Sequence, residues 1–69
     1  MRVYKISEKV GRRIRKYRNE RKLSQADLAE MVGVHYNHIG RIERAESNPS
    51  LPLVGKIAKA LKVKTTDLL

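Results

Sequence analysis

Between Gly33 and Glu43 the chain reads GVHYNHIGRIE, which brings His35, Tyr36, Asn37, His38 and Arg41 together on a segment with helical spacing. Imidazoles, a phenol, a carboxamide and a guanidinium this close together suit a metal centre, a catalytic surface or a hydrogen-bonding recognition surface. His35 and His38 are three apart, near enough to share one ion, but the chain has no cysteine and only scattered carboxylates to complete a shell. No metal and no other cofactor is expected. Catalysis needs a nucleophile or general base held in a pocket, whereas Ser7, Ser24 and Ser50 all stand where helices begin and read as caps. Enzymatic activity is therefore not expected, and recognition remains. An asparagine can bond bidentately to adenine, an arginine to the N7 and O6 of guanine, and an aromatic ring can touch a thymine methyl.

The composition agrees. At 69 residues the chain makes one small domain, 1–69, whose core is marginal unless its packing is good or a partner subunit helps. Without cysteine it has neither disulfides nor thiolate chemistry. No apolar run is long enough to span a bilayer and no leader with a cleavage site is visible, so a cytoplasmic, nucleoid-associated location is expected. The net charge of +9 is unevenly placed: residues 1–22 hold ten basic groups against two acidic ones, and the remainder six against five. So concentrated a basic face attracts polyanions, nucleic acid first and an anionic membrane surface second.

The elements that must position these groups all have helical period. Ser7 caps a first helix in which Val10, Ile14 and Tyr17 share a stripe. Ser24 and Asp27 form a capping box for a second, with Leu28 and Val32 on one face and Gly33 as a left-handed stop. A third runs from about His35 to Arg44 and is closed by the turn at Asn48-Pro49. Ser50 caps a fourth, striped by Leu53, Val54, Ile57, Ala58 and Leu61. Thr65 or Thr66 caps a last short turn carrying Leu68 and Leu69. No strand alternation appears, except that MRVYKI, residues 1–6, reads as a short extended arm.

Two helices joined by so short a turn at Gly33 form a helix-turn-helix. In the unit 25–44, small Ala29 lets the third helix approach the second, Gly33 accepts a positive φ, and Ile39 and Ile42 fill the wedge. At about 100° per residue, Asn37, Arg41 and Arg44 lie opposite Ile39 and Ile42, flanked by Tyr36 and the bare backbone of Gly40.

The segments LSQADLAEMVGV, IGRIERAESNPSL and KIAKALKV closely resemble the Cro/repressor-type (Xre-like) helix-turn-helix regulators over about residues 7–69. The resemblance implies an all-α, five-helix lambda-repressor-like domain that binds a double-stranded DNA operator as a homodimer and regulates transcription, chiefly as a repressor. Carried onto this chain, it makes Tyr36, Asn37 and Arg41 readers of bases, and Ser24, Gln25, Arg44 and Asn48 contacts to the DNA backbone. His35 caps the third helix and His38 flanks the interface, both near phosphate. It also pairs Arg18 with Glu43, and two-fold operators call for a dimer, expected through Leu68 and Leu69. The chain departs from the family at Lys22 and Ala45, where glycine is usual. If left-handed, each costs on the order of 1 kcal/mol. The alternative is an antitoxin or bridging factor whose main partner is a protein.

Overall fold

The computed structural model describes residues 4–69, with side chains from residue 7 onward. Five helices follow one another, α1 (Tyr4–Glu20), α2 (Gln25–Val32), α3 (Tyr36–Glu43), α4 (Leu51–Leu61) and α5 (Thr65–Leu68), with no strand among the described residues. The apolar stripes predicted from periodicity meet in one core. Val10 and Ile14 of α1, Leu28, Ala29 and Val32 of α2, and Ile39 and Ile42 of α3 pack with Val54, Ile57, Ala58 and Leu61 of α4 and Leu68 of α5.

Helix starts follow the caps at three places. The Ser24 hydroxyl accepts from Asp27 N at 2.9 Å while the Asp27 carboxylate accepts from Ser24 N at 2.9 Å. Ser50 Oγ accepts from Leu53 N at 3.2 Å, and His35 Nδ1 accepts from Asn37 N at 3.1 Å.

Two expected starts are wrong. Ser7 lies inside α1, which begins at Tyr4; its buried hydroxyl donates to Asn48 Oδ1 and ties α1 to the loop before α4. Of the expected arm, residues 4–6 are helical, and residues 1–3 lie outside the described residues. At α5 the residue before the helix is Lys64, whose N–H donates to Asp67 Oδ2 at 2.9 Å; Thr65 and Thr66 are already helical.

The ends of α1 to α4 share one geometry. A left-handed residue follows each helix, at Lys22 (φ 58°), Gly33 (77°), Ala45 (62°) and Lys62 (62°). The next N–H reaches back to the carbonyl five residues earlier, Leu23 to Arg18, Val34 to Ala29, Glu46 to Arg41 and Val63 to Ala58, at 2.8–3.0 Å. These are Schellman closures, which satisfy carbonyls that the last turn would otherwise leave bare. Only Gly33 adopts the geometry without steric cost, so Lys22 and Ala45 carry the expected strain, and so does Lys62, which the sequence reading overlooked.

A close approach sets the crossing of α1 over α3. A Cβ on Gly11 would stand 2.6 Å from the Ile42 carbonyl oxygen and 2.8 Å from that of Glu43, both rigid backbone. Gly11→Ala should therefore destabilise the fold by about 1–3 kcal/mol despite alanine's better helix propensity. Ala45→Gly, which relieves a left-handed side chain, should stabilise it by about 0.5–1 kcal/mol. Thermal melts of the two variants should move in opposite directions; a Gly11→Ala variant as stable as the parent contradicts the crossing.

Candidate nucleic-acid interface

Three residues, Gly33, Val34 and His35, separate α2 from α3. With Gly33 left-handed and His35 capping, the turn has little freedom, and α3 leaves it at a fixed angle to α2. The back of α3 is buried through Ile39, Ile42 and Glu43. Its front carries Tyr36, 53% exposed, together with exposed Asn37, Arg41 and Arg44. The predicted base readers therefore share one accessible stripe. The His35 and Tyr36 rings stack with centroids 4.7 Å apart, which fixes the aromatic pair at the start of the helix.

The predicted ion pair is present and buried. Arg18 Nε and Nη2 donate to the two oxygens of Glu43 at 2.6 and 3.0 Å, with the residues 8% and 7% exposed. Arg18 Nη1 donates to the Leu23 carbonyl at 2.7 Å, and Gln25 Nε2 donates to Glu43 Oε1 at 3.0 Å. Arg15, exposed, stands 4.0 Å from the same carboxylate. One carboxylate at the end of α3 thus gathers α1, the turn after α1 and the start of α2. Among the described residues no buried side-chain nitrogen or oxygen is left without a partner.

The predicted backbone contacts surround this stripe in different states. Ser24 is engaged in the capping box, whose backbone hydrogen bond from Ser24, followed by that from its side chain, holds the Asp27 carboxyl below its ordinary value. That capping contribution is complete above the ordinary carboxylate pKa and is lost as pH falls through the lowered one. Gln25 is half-buried with its amide on Glu43, and Asn48 receives the Ser7 hydroxyl. His38 is half-buried beside α3's exposed face. Arg44 Nε and Nη2 donate to Glu46 at 3.0 and 3.3 Å. The Arg44 hydrogen bond lowers the Glu46 carboxyl, and Glu46 in turn raises Arg44. Both are exposed, so water and salt screen the pair and it contributes little stability.

Two expectations need correcting. Gly40 is not bare: it is buried, and the tips of Gln25 and Arg44 lie across it. Leu68 is fully buried in the chain's own core and cannot face a second subunit, whereas Leu69 is 42% exposed. Two large apolar residues that the sequence did not flag are exposed, Met31 at 54% and Leu51 at 65%, and Leu51 lines a groove with Val10, Pro49, Val54 and Leu69. An exposed leucine at a helix start gives no sequence signal, because its position falls next to a core stripe. Among the described residues no three metal-binding side chains come together, and the Nδ1 of His35 is occupied by its cap.

A fixed two-helix unit presenting a polar, cationic stripe, with its back locked into a small all-helical core, defines a helix-turn-helix domain. The helix-turn-helix family profile matches residues 14–68, and the chain belongs to that family; its homologues are helix-turn-helix regulators and not enzymes. It is 42% identical over 64 residues to the control protein C.SmaI of Serratia marcescens, covering 93% of this chain and 76% of that one. The crystal structure of the restriction-modification controller protein C.AhdI from Aeromonas hydrophila superposes with a TM-score of 0.93 at 33% identity, covering all of both chains. The master regulator for biofilm formation SinR, solved in complex with DNA, superposes with a TM-score of 0.81 at 37% identity, covering 86% of this chain and 95% of that one. The chain spans only 55% of the full-length SinR of Bacillus subtilis.

The buried pair generates a test. Removing either partner strands the other charge in the interior, at about 3–5 kcal/mol. Glu43→Ala should lower stability by that order, and a double-mutant cycle with Arg18→Ala should show strong coupling; additive losses would mean the pair is absent in solution.

Proposed function

We propose that the chain binds a two-fold DNA operator in the major groove as a homodimer and acts mainly as a transcriptional repressor in the cytoplasm. The observation that carries this reading is the outward stripe of Tyr36, Asn37 and Arg41 on a helix whose opposite side is anchored by Ile39, Ile42 and the Glu43 carboxylate. The net charge of +9 supplies the long-range attraction to phosphate. The DNA-bound relative SinR supports the same reading. No helix among the described residues is long and apolar enough to cross a membrane.

In this reading Asn37 and Arg41 meet base edges, and Tyr36 lies against the bases at the start of α3. Ser24, Gln25, His35, His38, Arg44 and Asn48 hold the phosphates on either side. Asn37→Ala or Arg41→Ala should cost about 1–3 kcal/mol on the preferred site and relax preference at one or two base pairs per half-site. Arg44→Ala should weaken all sequences alike and reduce the salt slope by about one. Binding curves against a selected site and its single-base variants, at several salt concentrations, separate the two kinds of residue. An even loss across all base variants for Arg41→Ala would make Arg41 a phosphate contact.

The dimer forms, in this reading, through the C-terminal end, with Leu69 and the exposed Leu51 meeting their counterparts on a second copy across the apolar groove. Leu51→Asp and Leu69→Asp should each shift the sedimentation of a dimer towards monomer, weaken operator binding and remove the dependence of the melting temperature on protein concentration. A monomer at high concentration in the parent protein would refute the dimer. If the pure protein fails to shift duplex DNA unaided, the protein-partner alternative gains the ground.

A further inference from the structure

Gly40 occupies the middle of α3, where an alanine would be more favourable to the helix by about 0.5–1 kcal/mol. It has no positive φ to accommodate. Nor does it allow two backbones to meet, as Gly11 does. A Cβ built on Gly40 would instead meet the tips of two flexible side chains, Arg44 Nη1 at 3.0 Å and Gln25 Oε1 at 3.3 Å, with Gln25 Nε2 at 3.7 Å. The missing methyl is thus the space in which the guanidinium from the end of α3 and the carboxamide from the start of α2 converge.

Both tips are partly committed, and each keeps hydrogen-bonding capacity unspent. Gln25 spends one amide hydrogen on the buried Glu43 carboxylate, which fixes the carboxamide from behind. Arg44 spends Nε and Nη2 on Glu46, while Nη1 lies over Gly40. We propose that Gly40 is a positioning residue for DNA binding: its bare Cα seats Arg44 Nη1 beside the Gln25 carboxamide so that the two grip one phosphate of the duplex. The seat rests on the DNA-binding reading of α3 and adds to it a residue that touches no DNA itself.

A methyl at Gly40 has only to push aside side-chain ends, so Gly40→Ala should fold and melt at or above the parent temperature. Its affinity should nevertheless fall about tenfold, equally for the selected site, its single-base variants and random duplex, as expected when one charge-assisted contact is lost. The slope of log affinity against log salt should shrink by about one, the share of one phosphate contact. A helix made more or less stable would not by itself change that slope. Because Gly40 acts through Arg44, Arg44→Ala should cost much less in the Gly40→Ala background than in the parent.

Parent, Gly40→Ala, Arg44→Ala and the double variant are measured together by melting and by salt-dependent binding. A Gly40→Ala variant that binds with the parent's affinity and slope overturns the inference, as do fully additive losses or a variant that cannot fold. Parent protein that binds no duplex of any sequence overturns the DNA-binding reading itself, a result distinguishable from the others because it appears before any substitution is made.

Discussion

The Glu43 carboxylate is the point on which the geometry of this domain depends. It lies at the end of α3, within the protein interior, and accepts two hydrogen bonds from Arg18 and one from Gln25. A charge taken out of water is tolerated only when its lone pairs are satisfied, and here three helices supply the donors or the frame for them. Such a pair need not add net stability over an apolar core, but it strongly penalises any arrangement in which the three helices lose register. The cost of misplacing α3 is therefore far greater than its two turns of apolar contact would impose alone.

The surrounding features work to the same end. Gly11 lets the α1 backbone lie against that of α3, which brings Arg18 within reach of Glu43 seven residues along. Arg18 also caps the turn after α1 through the Leu23 carbonyl. Left-handed closures after α1 to α4 keep the connections short, and three of the four accept side-chain strain to do so. A chain with little core to spare thus puts its strain into turns whose shape determines where α3 points. The result is a stripe of readers on one side of a helix whose other side cannot turn away.

Much of this was legible in the sequence because periodicity and capping are local. The stripes of α2 and α4, the capping box at Ser24, the stop at Gly33 and the outward placement of Asn37 and Arg41 follow from spacing alone. The Arg18 and Glu43 pairing came from family resemblance, since residues 25 apart carry no local signal. Features created by tertiary contact were misread. Ser7 has the side chain of a cap but is used as a buried tether to Asn48, and the helix runs past it towards the N-terminus. Leu68 and Leu69 look equivalent in sequence, yet one fills the core and the other faces out, because consecutive residues on a helical turn point about 100° apart. Gly40 appeared bare because the side chains that cover it come from α2 and from the end of its own helix.

The Glu43 carboxylate orders α3 and its junction with α2, beyond any share it has in global stability. Native-state amide hydrogen exchange on the parent and on Glu43→Gln tests it most directly, since exchange reports opening segment by segment. Protection should drop in α3 and around Leu23 to Gln25 while the amides of Ile57 to Leu61 in α4 keep a larger share of theirs. A uniform loss across all helices, or no change in α3, would contradict it.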